Sequence, residues 1–143
     1  MTLDEMTCKL ECHDLIVRYF TIIDTGPRSN IKDVFSEDGR IMTLGGDGGV
    51  DPVAAFNGLS PEFVPIHATS NILVTPTGPD TAVGEAYVTA FNMFGKVDDI
   101  LPRKMPPTPN RIGKILFEFR KTPVGWRIYR FKSGHRFVDD GLT

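Results

Sequence analysis

The chain has 143 residues, a length that suits one hydrophobic core and predicts a single domain over residues 1–143. Its 41% apolar and 24% charged residues are ordinary for a globular protein. The net charge of −2, with both signs interspersed, does not predict the basic surface of a nucleic-acid partner. No apolar run approaches the roughly 18–20 residues of a membrane span, and no signal-peptide core is visible, so a cytoplasmic protein without a membrane partner is expected.

The first element in chain order is a helix that begins near Thr2. Thr2 and Glu5 have the spacing of a capping box, and Gly26-Pro27 should end the helix near Asp24. Apolar residues recur between these limits with roughly the helical period. The residues predicted for the core face are Met6, Leu10, Leu15, Ile16, Tyr19, Phe20 and Ile23.

The sequence predicts no metal site and no cofactor. Cys8 and Cys12 lie one helical turn apart beside His13, which fits no zinc pattern, so both cysteines are expected to be free thiols. No HxH, HExxH or CxxC motif and no nucleotide fingerprint occurs. The glycine-rich run 45–49 lacks the Lys-Ser/Thr pair of a phosphate-binding loop and reads as a flexible loop.

Short elements are predicted before the second half of the chain. A helix over about 30–35 should bring Ile31, Val34 and Phe35 to the core, followed by a turn at 36–39 and a strand over 40–44. Asp51-Pro52 then predicts a third helix, with Asp as cap and Pro in the first turn.

Strand-like runs dominate the rest of the chain. They are predicted at about 63–75, 81–93, 111–120 and 125–136, with turns between them. The irregular segment 94–109 is long enough to be a lid or binding loop. Helices first and strands afterwards indicate an α+β domain with helices on one face of an antiparallel sheet.

The stretch VPIHATSNILV at 64–74 has two alternating faces. Its apolar positions are predicted to pack beneath the helices. The opposite positions could meet bulk water or line a pocket, and the pattern alone leaves both open. The predicted core set is Val64, Ile66, Ile72 and Val74, and the other set is His67, Thr69 and Asn71.

Several segments together resemble the SnoaL-like branch of the nuclear transport factor 2-like superfamily. They are RYFTIIDTG, VFSEDGRI, IHATSNILV, AVGEAYV and FRKTPVGWRIYRF, and their order and spacing carry the resemblance from about Leu10 to Phe137. It implies a cone of three helices on a strongly curved, mainly antiparallel sheet, with a small apolar ligand inside. It also implies a homodimer.

The resemblance to scytalone dehydratases and hexachlorocyclohexane dehydrochlorinases implies roles for two residues. Their catalytic aspartate falls on Asp24 and their catalytic histidine on His67. In those enzymes the aspartate orients the histidine, which takes a proton. Asp24 could instead cap the turn that follows it, and His67 could be a structural histidine on a wet strand. Ile23 and Asn92 stand where scytalone dehydratase has a tyrosine and a second histidine.

The resemblance to steroid isomerases places their oxyanion-binding tyrosine on Tyr19. Their catalytic base would fall near Thr43 and their carboxylic acid near Leu116, which argues against that chemistry here. The residues predicted to contact a substrate are Tyr19, Asn71, Val88, Ala90 and Asn92.

The expected function is that of a cofactor-independent lyase or isomerase. It would act on a small apolar metabolite, such as a polyketide, terpenoid or aromatic compound, by elimination, isomerisation or cyclisation. The alternative is a non-catalytic module that binds a small ligand or forms a dimer. Asp24 and His67 in hydrogen-bond contact would favour the enzyme.

Overall fold

The computed structural model describes residues 1–42, 48–95 and 109–138, of which 135, 136 and 138 are described in backbone only. Most of the predicted loops at 45–49 and 94–109 lies outside the described residues. Within the described part, no helix is both long and apolar enough to cross a membrane.

Helix α1, Leu3–Thr25, begins at the predicted cap. The Thr2 hydroxyl accepts the Glu5 N–H at 3.1 Å and the Glu5 carboxylate accepts the Thr2 N–H at 2.9 Å, which confirms the capping box. The prediction that Met6 and Leu10 face the core is wrong, because they are 52% and 74% exposed. They lie about 200° around the helix from Cys8 and Cys12, whose side chains occupy the buried face.

The two short helical segments follow at Arg28–Asp33 and Pro52–Asn57. The first is a 3₁₀ helix that begins and ends two residues before the helix predicted at about 30–35, and Ile31, Val34 and Phe35 are buried as expected. The second, α2, confirms the predicted start, since the Asp51 carboxylate accepts the Ala54 N–H at 3.0 Å.

Five strands form one sheet in the order β1-β5-β4-β3-β2. β1 runs parallel to β5 and the other neighbours are antiparallel. The four later strands confirm the predicted runs to within two residues at each end. The strands are β1 Phe35–Met42, β2 Phe63–Pro76, β3 Thr81–Phe94, β4 Arg111–Thr122 and β5 Gly125–Val138.

The turn predicted at 36–39 is wrong, because these residues belong to β1. Phe35 pairs with Ile128 of β5 and Arg40 with Arg130, so the register shifts between the two pairs. Gly39 lies in this irregular stretch, where an added Cβ would stand 2.8 Å from the ring of Phe35. Glycine therefore allows the strand to continue through a sequence that looks like a turn.

The core lies between α1 and one face of the sheet. Aromatic rings fill its centre, where Tyr19 stacks on Phe131 with centroids 4.5 Å apart and Phe117 stacks on Phe119 at 5.7 Å. Trp126 is 4% exposed and packs in the same cluster, as predicted. The helices therefore cover one face of a curved sheet, as the predicted α+β cone requires.

A bulge at Asn71 switches the two faces of β2. Residues before it alternate with odd numbers inward, as at Pro65, while Val74 after it is inward and 6% exposed. The register with β3 shifts between Ser70 and Leu73, and Asn71 has φ +51°. The prediction that Ile66 packs beneath the helices is therefore wrong, since this side chain is 53% exposed.

Candidate active site

Asp24 lies in the last turn of α1, and its carboxylate points away from the turn that follows. That turn is closed by other groups: Gly26 N–H donates to the Ile22 carbonyl at 2.8 Å, and the Thr25 hydroxyl donates to the Thr21 carbonyl at 2.8 Å. The alternative role of Asp24 as a cap for this turn is therefore wrong. Its carboxylate is free to bond across to the sheet.

The Asp24 carboxylate contacts His67 of β2 through both oxygens. Oδ1 lies 2.5 Å from His67 Nδ1, and Oδ2 accepts the backbone N–H of His67 at 2.8 Å. The two side chains are only 14% and 12% exposed. One carboxylate thus fixes both the backbone and the ring of the same histidine, in a setting with little water to compete.

This geometry determines where the imidazole proton sits. A carboxylate can only accept, so the Asp24 contact places the proton of the neutral ring on Nδ1. Nε2 then carries the lone pair. In the part of the chain that the structure describes, Nε2 has no hydrogen-bond partner, so it can accept a proton from another molecule.

The surroundings of His67 are mainly apolar. The Phe20 ring lies 5.1 Å from the imidazole, one helical turn before Asp24. Ala90 pairs directly with His67 on β3, and Val88 pairs with Thr69 on the same inward face. Val88 and Ala90 are 3% and 2% exposed, so two of the predicted contact residues form the wall beside the histidine.

Asn92 lies on the same inward face of β3, next to Ala90. It pairs with Pro65, two residues from His67, which places it diagonally across from the histidine. Its side chain is partly exposed. Asn92 is therefore a predicted contact residue that places a polar side chain beside the imidazole.

Asn110 is a site residue that the sequence did not reveal. Asn110 is 7% exposed, and its Oδ1 accepts the Asn92 N–H at 2.5 Å. Its own N–H donates to the Ala90 carbonyl at 2.8 Å. Asn110 thus ties the entry of β4 to the part of β3 that faces His67. An asparagine after a proline-rich run has no local signal that distinguishes this role from a turn residue.

Arg28 is a second residue missed from sequence. Its guanidinium donates to the carbonyls of Ser60 at 2.9 Å and Phe63 at 2.6 Å. It therefore clamps the start of β2 to the chain that leaves α1. Arg28 lies four residues after Asp24, and Phe63 lies four residues before His67, so these hydrogen bonds join the two segments that carry the pair.

Tyr19 belongs to the aromatic core. It is 5% exposed and contacts the rings of Phe20, Phe35 and Phe56 edge-on as well as stacking on Phe131. Burial raises the pKa of its phenol well above the usual value. The hydroxyl therefore remains protonated at neutral pH and can donate a hydrogen bond but not act as a base.

Asn71 does not share the inward face with His67, so that prediction is wrong. The bulge turns it to the outside, where it is exposed. Asparagine tolerates the positive φ there better than most residues. Thr69, two residues before it, remains inward and partly buried. The structure thus separates Asn71 from the other predicted contact residues.

Four clefts formed by described residues lie elsewhere on the surface. They have volumes of about 330–790 Å³, and none is lined by Asp24 or His67. Within residues 1–42, 48–95 and 109–138, no three His, Cys, Asp or Glu side chains gather in a way that could hold a metal ion.

Solved structures share this architecture at low sequence identity. A nuclear transport factor 2-like protein with a cystatin-like fold from Novosphingobium aromaticivorans is 22% identical, with a TM-score of 0.70 over 96% of this chain and 86% of that chain. A proposed scytalone dehydratase from N. aromaticivorans DSM 12444 is 15% identical, with a TM-score of 0.67 over 90% and 85% of the two chains. A type 2 hexachlorocyclohexane dehydrochlorinase is 14% identical, with a TM-score of 0.71 over 98% and 94%.

These likenesses and the curved sheet define a protein of the nuclear transport factor 2-like fold class. A family model described as the SnoaL-like domain matches residues 4–132. The chain therefore belongs to the SnoaL-like domain family. No curated protein matches it in sequence.

Proposed function

We propose that the chain is a cofactor-independent acid–base enzyme of the lyase or isomerase type, in which His67 is the base and Asp24 orients it. The observation that carries the proposal is the double contact of one carboxylate with the histidine, to Nδ1 at 2.5 Å and to the backbone N–H at 2.8 Å. A base held in this way, with one nitrogen free, is the arrangement that general-base catalysis requires.

The proposed step begins with a C–H bond next to an activating group of the substrate. His67 Nε2 takes the proton, and the electron pair of the broken C–H bond forms a new π bond. In an elimination, the bond to a leaving group on the adjacent carbon breaks and that group departs with its electron pair. Asp24 stabilises the imidazolium that results, because the charges lie side by side in a partly buried site.

Two structural neighbours support an elimination over the other outcomes. One is named as a proposed dehydratase and the other as a dehydrochlorinase, and both names denote loss of a small leaving group. Isomerisation or cyclisation would use the same first proton transfer. The substrate class proposed from the family resemblance is a small apolar polyketide, terpenoid or aromatic compound.

An oxygen atom of such a substrate would need a hydrogen-bond donor. We assign that role first to Asn92, whose amide lies on the inward face diagonally across from His67. Tyr19 is the second candidate, since its buried hydroxyl stays protonated and can donate a hydrogen bond. Val88 and Ala90 would contact the apolar part of the substrate.

The proposal includes a homodimer and a cytoplasmic location. The homodimer is the assembly implied by the family resemblance. The location is proposed because Cys8 and Cys12 are free thiols, which fits a reducing compartment.

The test begins with a thermal-shift screen of apolar ketones, phenols and halogenated cyclic compounds. Each compound that binds is then incubated with the protein in D₂O, and incorporation of deuterium or loss of a leaving group is followed by mass spectrometry. His67→Gln and Asp24→Asn should each reduce the rate by about 10²–10⁴-fold. His13→Gln, which changes an exposed histidine of α1, is the matched control and should retain the full rate.

Full activity in the His67 or Asp24 variant would overturn the catalytic roles. Binding of several compounds without exchange or turnover would favour the alternative, a module that binds a small ligand without chemistry. The contact between Asp24 and His67 argues against that alternative, because simple binding does not require a histidine tautomer fixed by a carboxylate.

A further inference from the structure

Two arginines stack on the same tyrosine on the side of the sheet away from α1, which we call the outer side. The Arg120 guanidinium carbon lies 3.4 Å from the centroid of the Tyr129 ring, and that of Arg130 lies 3.7 Å from it. Two guanidinium groups this close to one centroid would overlap on a single face of the ring, so they lie on opposite faces. The two groups are therefore held about 7 Å apart with the ring between them.

A bulge in β5 produces this arrangement. The pairing with β4 shifts between Ile128 and Arg130, so Tyr129 is an extra residue in β5. Ile128 and Phe131 face the core, and the two residues between them both turn to the outer side. Arg120 of β4 is exposed on that side as well. Bulges commonly re-aim side chains near functional sites, which makes this cluster a candidate for one.

Neither of the two stacked arginines forms an ion pair within residues 1–42, 48–95 and 109–138. Glu118 lies directly opposite Arg130, yet its carboxylate lies 3.1 Å from Lys132 Nζ. Arg127 lies directly opposite Arg120 and adds a third positive charge. This part of the outer side therefore carries positive charge that no described carboxylate neutralises. Other cationic side chains do pair with a carboxylate, namely Arg18, Arg40, Lys114 and Lys132.

The two guanidinium groups are fixed in place but keep free donors. Arg130 Nη1 donates to the carbonyls of Asp38 at 3.0 Å and Tyr129 at 2.7 Å, and Nη2 donates to the Tyr129 hydroxyl at 3.0 Å. A guanidinium has five N–H donors, so two remain on Arg130. Arg120 is held by its stacking on the ring, and its N–H groups have no acceptor in the described part of the chain. The hydroxyl oxygen of Tyr129 accepts from Arg130, so its O–H is left to donate.

Phosphoryl oxygens match this set of donors. Arginine binds a phosphoryl group through two parallel N–H···O bonds, and stacking on an aromatic ring pre-organises it to do so. One phosphate cannot meet both arginines in this way, because they are about 7 Å apart and each charge-assisted bond spans only about 2.7–2.9 Å. A diphosphate has two phosphoryl groups joined through one oxygen. Each arginine can then hold one group, while the Tyr129 hydroxyl donates to an oxygen between them.

We propose that Arg120, Tyr129 and Arg130 form a binding site for a diphosphate group, either free or as an ester. The site is separate from the candidate active site, because His67 lies on the opposite, inward face of the sheet. Diphosphate binding here goes beyond the proposed function and does not depend on it. The variant Asp24→Asn should therefore bind diphosphate as the wild type does, whether or not it is active.

The test is isothermal titration calorimetry without divalent cations, with inorganic diphosphate, ADP and inorganic phosphate as probes. Inorganic diphosphate should bind at one site per chain, and about 10-fold or more tightly than inorganic phosphate. Arg120→Gln and Arg130→Gln should each weaken binding by about 10-fold or more, because each removes charge-assisted hydrogen bonds. Arg18→Gln makes the same change of charge on α1, where the side chain is 65% exposed, and should leave binding unchanged. Equal affinity for ADP would identify a diphosphate ester as the ligand, and weaker binding of ADP would identify free diphosphate.

Substitutions of Tyr129 separate a stacked site from general attraction by positive charge. Tyr129→Leu keeps both arginines but removes the ring, so it should weaken diphosphate binding by about 10-fold. Tyr129→Phe keeps the ring and loses only the hydroxyl, so it should lose less affinity than Tyr129→Leu. Unchanged affinity in Tyr129→Leu, or an equal loss in Arg18→Gln and Arg120→Gln, would overturn the proposal. A wild type without saturable binding up to about 1 mM diphosphate would overturn it too.

Circular dichroism shows whether each variant is folded. If the Tyr129 variants are not, ¹H–¹⁵N NMR of the wild-type arginine side chains decides the question. The Nε–H signals of Arg120 and Arg130 should shift as inorganic diphosphate is added, and that of Arg18 should not. Signals of Arg120 and Arg130 that stay in place, or that move no more than that of Arg18, would contradict the proposed site.

Discussion

Replacing Asp24 with Asn should move the proton of His67 from Nδ1 to Nε2. The asparagine carboxamide has one acceptor and one donor where the carboxylate has two acceptors. The backbone N–H of His67 can only donate, so the amide oxygen must face it. The amide NH₂ then faces the ring, which accepts through Nδ1 and carries its proton on Nε2.

The cost in stability follows from the two observed hydrogen bonds. Asp24→Ala leaves the backbone N–H and Nδ1–H of His67 without their acceptor, and each unsatisfied buried donor costs about 1–3 kcal/mol. The free energy of unfolding should fall by about 2–6 kcal/mol. Asp24→Asn keeps both contacts as hydrogen bonds to a neutral group, so the free energy of unfolding should fall by only about 1–2 kcal/mol. Urea denaturation measures both values.

Long-range ¹H–¹⁵N NMR of the imidazole rings reports which nitrogen carries the proton, and it needs no substrate. The wild type should show His67 protonated on Nδ1, and Asp24→Asn should show it protonated on Nε2. His13 lies exposed on α1 and should not change, so it is an internal control. The same His67 tautomer in both proteins would refute the prediction that the Asp24 carboxylate fixes the ring proton on Nδ1. So would a wild type with its proton on Nε2.

Two further predictions concern the core. Burial raises the pKa of the Cys8 and Cys12 thiols. Dithiobis-nitrobenzoate should therefore label neither cysteine in the folded protein at pH about 7.5–8, and it should label both in urea. The free energy of unfolding should also fall as the pH rises past about 8.5, because the thiols of the unfolded chain ionise there while those of the folded protein stay protonated. Rapid labelling without urea would contradict this. Gly84→Ala places a Cβ 2.7 Å from the Phe119 ring and should destabilise by about 1–3 kcal/mol in thermal unfolding. Gly58→Ala, with its nearest contact at 3.5 Å, is the control and should be close to neutral.

Local features of the sequence were sufficient to predict most element boundaries. Thr2 with Glu5 marked the start of α1, and Asp51-Pro52 marked the start of α2. Such signals work because a cap and its N–H partners lie within four residues of each other. Where a local signal and a long-range contact competed, as at 36–39, pairing with β5 decided the outcome.

The alternation of β2 did not predict that its two faces reverse at the bulge. Alternation correctly grouped His67 with Thr69 and correctly placed Val74 in the core. It failed for Ile66 and Asn71, because one extra residue in a strand reverses every side chain beyond it. The sequence shows only an asparagine at this position, and asparagine is also common in ordinary turns, so the bulge could not be predicted from it.

The sequence by itself determined the α+β class and the order of the elements. Through the family resemblance it also indicated Asp24 and His67 as the candidate catalytic pair. Only the tertiary structure brought that carboxylate to both donors of a histidine 43 residues away. It also revealed Asn110 and Arg28, which support the site through contacts with distant segments. The physical reason is that caps and periodicity act within a few residues, whereas a site on a curved sheet depends on register, and register is set by packing.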